Sequence, residues 1–120
     1  MPPRRRTDPE AGRAAVAAWR ADPGGAAREV LATAVRFTLE ELAARTPGNS
    51  TEVRVPPFGA VQCIPGPRHT RGTPPNVVET DAATWLRLAT GSSGWAEEAG
   101  TGRLHASGER ADLSGYLPIV

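Results

Sequence analysis

Arg68, His69, Thr70 and Arg71 form the one polar cluster in this 120-residue sequence whose side chains invite ligand chemistry. Two guanidiniums around an imidazole and a hydroxyl suit a carboxylate or a phosphate, because planar N–H forks make charge-assisted pairs with such oxyanions. Prolines and glycines on both sides, Pro65-Gly66-Pro67 and Gly72-Thr73-Pro74-Pro75, would hold the cluster on a loop. Arg54 adds a third cation if its side of the chain points the same way. The competing expectation is that these arginines pair with Glu52, Glu79 or Glu109 and simply tie the loop down.

Other chemistry finds little support. Cys63, His69 and His105 are the only thiol and imidazoles, on separate segments without ligand spacing, whereas zinc sites draw three or four such ligands. No metal is therefore expected, and a buried, inert Cys63 is the natural reading. Gly91-Ser92-Ser93-Gly94 lacks the strand-turn-helix setting of a nucleophile elbow. The sequence contains no lysine, so Gly100-x-Gly102 is no phosphate loop. Glu40-Glu41 and Glu97-Glu98 are neighbours on helices and face different directions. No catalytic residues are expected, no cofactor is implied, and the chain is read as a non-enzyme.

Charge and composition narrow the partners. All 14 basic residues are arginine against 13 acids, a net charge of +1, which lacks the basic stripe that nucleic-acid binding requires. Arg4-Arg5-Arg6 reads as a solvated tail. One cysteine allows no internal disulfide, no apolar run reaches membrane-spanning length, and a cytoplasmic location is the default expectation. Much of the 39% hydrophobic share is alanine, so Trp19, Trp85, Trp95, Phe37, Phe58 and Tyr116 are expected to supply much of the buried area.

The elements that would position these residues follow from periodicity and punctuation. Asp8-Pro9-Glu10 opens a short helix that carries Val16 and Trp19 and ends at Asp22-Pro23-Gly24-Gly25. Such a short helix needs docking. Trp19 is expected to pack on the domain, the alternative being contact with another chain in a homodimer. Residues 26–45 repeat Leu31, Val35, Leu39 and Leu42 at helical spacing, with an Arg36–Glu40 pair on the far side. Thr51 to Val55 alternates as a strand, Pro56-Pro57-Phe58-Gly59 turns, and residues 60–64 pair back. An edge strand at 68–71, a strand at 76–80 capped into a helix by Thr80-Asp81, a short helix at Trp95, a strand at 103–107 and a last helix holding Leu113, Tyr116 and Leu117 complete the chain. The fold class is α+β, with four or five mainly antiparallel strands and helices packed on one face. Residues 1–25 form a tail and short helix, and 26–120 the domain.

The order strand, helix, short helix, strand, helix, with "TDAATWLRLATG" and then "GRLHASGERADLSGYL", resembles the C-terminal half of the sterol carrier protein 2 (SCP2-like) fold. "VRVPPFGAVQCIPGPRHTRGTPPNVVETD" is similar to the actinobacterial branch known as bacterial SCP orthologues. The resemblance covers roughly residues 26–118. It implies a module that binds a lipid or small amphipathic molecule in a tunnel between sheet and helices. Val77, Trp85, Leu88, Trp95, Leu113 and Leu117 would line or cap that tunnel, with the anionic end near Arg54, Arg68, His69 and Arg71. The same apolar residues would equally build a solid core. A filled core would fit an accessory or protein-interaction domain, like the C-terminal part of mycothiol-dependent maleylpyruvate isomerase-like enzymes.

Overall fold

Asp8 and Pro9 start the first helix in the way their chemistry favours: the aspartate accepts a hydrogen bond from the Ala11 N–H at 3.1 Å, and proline occupies a position with no intrahelical donor to lose. The computed structural model describes residues 5–66 and 76–120. Helix α1 (Pro9–Ala21) buries Ala15, Val16 and Trp19 against α2 (Arg28–Arg45), so the Trp19 helix docks on the domain. The two helices approach closely at Gly12, where a Cβ would overlap the Phe37 ring. No side chain caps the start of α2, whose support is its buried face of Val35, Phe37, Leu39 and Leu42.

Strands β1 (Thr51–Val55) and β2 (Gly59–Cys63) form the expected hairpin, and β3 (Asn76–Thr80) lies parallel to β1 on its other side. Helices α3 (Ala82–Thr90) and α4 (Trp95–Ala99) lead to β4 (Leu104–Ser107), which pairs antiparallel with β3. The result is α+β, with a four-stranded, mainly antiparallel sheet in the order β2-β1-β3-β4. Its inner face carries Val53, Val55, Val78 and Leu104 toward the helices. The opposite face carries Glu52, Arg54, Val77, Glu79 and His105, half-buried or exposed.

The registers decide which residue faces which way, because neighbours along a strand point to opposite sides. Val53 pairs with Val78, and Glu52 with Val77. Thr51 and Asn76 sit together at the buried end, where the Asn76 amide donates to the Ser50 carbonyl at 2.7 Å and accepts from the Arg110 N–H at 2.9 Å. These bonds tie the start of β3 both to β1 and to the segment after β4.

Three expectations are corrected, on the last helix, on the burial of Tyr116 and on the Arg36–Glu40 pair. The last helix does not form: residues 114–116 make a single turn, closed by the Tyr116 N–H on the Leu113 carbonyl at 2.9 Å. Gly115 and Pro118 interrupt so short a stretch. Leu113 and Ile119 are nevertheless buried, and the N–H groups of Ile119 and Val120 both reach the Ala89 carbonyl, at 2.8 and 3.1 Å. Tyr116 is the exception among the large aromatics, 38% exposed. Arg36 and Glu40 do not pair with one another: Arg36 Nε donates to the Phe58 carbonyl, while Glu40 receives the N–H groups of Arg6 and Thr7. The edge strand expected at 68–71 falls outside the described residues.

Candidate functional site

Asp81 sets the helix that was expected to line a tunnel. One of its carboxylate oxygens accepts from the Thr84 N–H at 2.8 Å and the other from the Thr84 hydroxyl at 3.0 Å. At the far end Gly91 adopts the left-handed conformation, φ 78°, that closes a helix at little cost in glycine. Between them α3 turns Trp85, Leu86, Leu88 and Ala89 inward. Trp85 is wholly buried, and its indole N–H donates to the Thr38 hydroxyl at 2.8 Å, which in turn donates to the carbonyls of Ala34 and Val35. That chain of bonds lets a large polar-tipped ring occupy the centre without an orphan donor.

Trp85, Leu88 and Leu113 thus belong to one continuous core with Phe37, Leu39, Val53 and Val78. Val77 does not join them: the register puts it on the opposite face of the sheet, and Val78 takes the inner position. Arg54 is also on that opposite face, in an ion pair with Glu52 and 4.0 Å from Glu79. Arg68, His69 and Arg71 lie outside the described residues. The sheet therefore stands between Arg54 and the predicted core-side residues Trp85, Leu88 and Leu113, while Val77 shares the face of Arg54.

His105 faces outward across from Glu79, whereas Cys63 is buried on the inner side of the edge strand β2. Burial pushes the Cys63 thiol up to about 12, since a thiolate there would lose its solvation. The two residues sit on opposite faces of the sheet and cannot converge on one ion.

Three of the predicted apolar residues do meet. Leu88, Trp95 and Leu117, from α3, α4 and the C-terminal segment, line an open depression of about 370 Å³ with Pro118 as a further wall. Trp95 and Leu117 are half-buried and pack against the core rather than within it. Ser92, Ser93 and Ser114 supply hydroxyls around the rim, and Glu97 is its single charged group. Such a rim suits a neutral molecule with an apolar body and a hydrogen-bonding group. Helix α4 is held in place by Arg87, whose Nε donates to the buried Glu98 carboxylate at 2.7 Å and whose Nη2 reaches the Thr84 hydroxyl at 3.1 Å. That hydrogen bond holds the Glu98 carboxyl below its ordinary range, and the same bond raises Arg87.

The residues that sequence reasoning missed here are Ser92, Ser93, Ser114 and Pro118. The Gly91-Ser92-Ser93-Gly94 stretch was visible as a break between helices, but only the return of the chain after Leu113 makes it a wall. A larger cleft, about 1120 Å³, runs between α2 and β2. Two of its polar side chains are already engaged, Arg36 with the Phe58 carbonyl and Glu40 with the segment before α1.

Among the described residues, no helix is long and apolar enough to cross a membrane. No curated protein matches the sequence closely. The family model described as "Bacterial SCP ortholog" aligns with residues 27–119, from the residue before α2 through Ile119. That span takes in α2, the whole sheet, α3, α4 and the returning C-terminal segment, and α1 precedes it, so the chain belongs to the bacterial SCP ortholog family.

Proposed function

We propose that this chain is a binding module for a small, lipid-like amphipathic molecule and has no catalytic chemistry of its own. The observation that carries the reading is the convergence of Leu88, Trp95 and Leu117 on one open depression. Family membership supports it, and so does the size of the depression, about 370 Å³, which falls near the lower end of the roughly 300–1,000 Å³ of small-molecule sites. The ligand is held at the mouth between α3, α4 and the C-terminal segment, because Trp85 and Leu113 fill the space deeper in. Its polar end is neutral, facing serine hydroxyls and the Glu97 carboxylate.

Titration with a fluorescent neutral sterol or monoacylglycerol tests the reading. Saturable binding, weakened at least about tenfold by Trp95→Ala and by Leu117→Ala, is the expected outcome, since anchors of this kind carry much of a site's affinity. Absence of saturable binding, or binding indifferent to both changes, overturns it.

A second reading, an accessory or interaction domain, draws on the filled core around Trp85 and Leu113. In this reading the surface is the functional part. Docked Trp19 is 2% exposed and is unavailable as the contact, so a homodimer would use another face. A concentration-dependent dimer in sedimentation velocity, together with no ligand binding, favours this alternative.

A further inference from the structure

The seam between α1 and α2 presents a different arrangement from the α3–α4 depression. Arg13, Val16, Ala17 and Arg20 follow one another along a single stripe of α1, while Phe37, Glu41 and Arg45 recur every fourth residue along α2. Together with Ile119 and Val120 they enclose a groove of about 540 Å³. Its floor is apolar and its rim is cationic, three arginines against one glutamate.

That glutamate is already neutralised. Glu41 pairs with Arg5 at 2.6 Å and with Arg45 at 3.4 Å. Arg20 donates to the carbonyls of Thr90 and Val120, at 3.3 and 3.0 Å, which fixes one end of the rim. Arg13 makes no ion pair among the described residues. The lining side chains therefore carry surplus positive charge beside an apolar strip.

We infer that this groove is a second ligand site, for a single-chain amphiphile with a carboxylate head, its chain along Val16, Ala17 and Ile119 and its head against the arginine rim. Charge complementarity selects the anion: a carboxylate gives Arg13 the counter-ion that it lacks among the described residues, a neutral head does not, and a cationic one is repelled. The α1 wall lies before the family-matched residues 27–119, whereas Phe37, Glu41, Arg45 and Ile119 lie within them. It stands independently of the depression around Trp95.

Calorimetric titration of the full chain with dodecanoate, kept below its micelle-forming concentration, provides the test. Dodecanol and dodecyltrimethylammonium serve as chain-matched neutral and cationic probes. Dodecanoate is expected to bind several-fold more tightly than either. Ala17→Glu adds a carboxylate at an exposed position within the groove and is expected to abolish dodecanoate binding with the thermal midpoint unchanged. Arg13→Gln and Arg45→Gln, both at exposed positions, are each expected to weaken it about two- to fivefold, the range of solvent-exposed charge pairs. Equal binding of dodecanoate and dodecanol overturns the inference. So does dodecanoate binding that survives Ala17→Glu and the two arginine changes. Loss of dodecanoate binding on Trp95→Ala, with retention in Ala17→Glu, places the ligand in the α3–α4 depression and likewise rejects the groove.

Discussion

Gly12 shows how one missing methyl group can set the distance between two helices. Alanine is intrinsically the better helix former by about 1 kcal/mol. At Gly12 its Cβ would strike the ring and Cβ of Phe37, which is 2% exposed. Forcing a group into such a contact costs about 1–3 kcal/mol. Gly12→Ala is therefore expected to lower the urea midpoint, whereas Gly24→Ala, with open space around its Cβ, leaves it unchanged or slightly raised. An equal effect of the two substitutions would show that α1 is not seated at Gly12. Individual side chains were only partly legible in the sequence. Val77 and Val78 are chemically alike, and nothing local says which faces inward; the choice is made by pairing with β1, where a shift of one residue would exchange them. The sequence leaves open whether the side of the chain that carries Arg54 points toward the 68–71 cluster, and its ion pair with Glu52 could be weighed only as an alternative until the faces of the sheet were fixed.

Most secondary-structure elements were readable because their signals are local. Asp8 and Asp81 act as caps, Gly91 closes α3, and the alternation of Thr51–Val55 matches the strand. The last predicted helix failed because Leu113, Tyr116 and Leu117 suggest a helical stripe, yet the segment is short, closes only one turn, and is followed by Ile119 and Val120 bonded to Ala89. The link between α3 and α4 offers a pH test. Glu98 titrates lower in the fold because Arg87 hydrogen-bonds its charged form, so the stabilisation is fully present above the ordinary carboxylate range and is lost as pH falls through the folded value. Glu98→Gln is expected to be less stable than the parent at neutral pH, and the difference should shrink as the buffer is acidified. A stability gap independent of pH would mean that packing, not ionisation, holds α4.

For the molecule as a whole, the sheet connects parts that are distant in sequence. The α+β class was accessible from the alternation of strand and helix signals, but the parallel β1–β3 pair was not, because a crossover leaves no turn motif to announce it. The candidate depression was legible in its residues, Leu88, Trp95 and Leu117, but not in its depth, which depends on how completely Trp85 and Leu113 occupy the interior. Helix α1 is integral to that interior. Trp19 alone accounts for on the order of 4 kcal/mol of apolar burial, a large share of the about 5–15 kcal/mol typical of domain stability. Deleting residues 1–25 is expected to abolish cooperative melting and near-ultraviolet dichroism. A truncated chain that melts like the full one would make α1 dispensable.

Arg20 reaches the carbonyl of Val120, a hundred positions further along, and Val120 in turn is bonded to Ala89. During translation, α1 therefore emerges from the ribosome well before the residues that complete its seat. The nascent chain must keep Trp19 and Val16 from other greasy surfaces until that later tether has left the exit tunnel, and in that interval a chaperone has most to do.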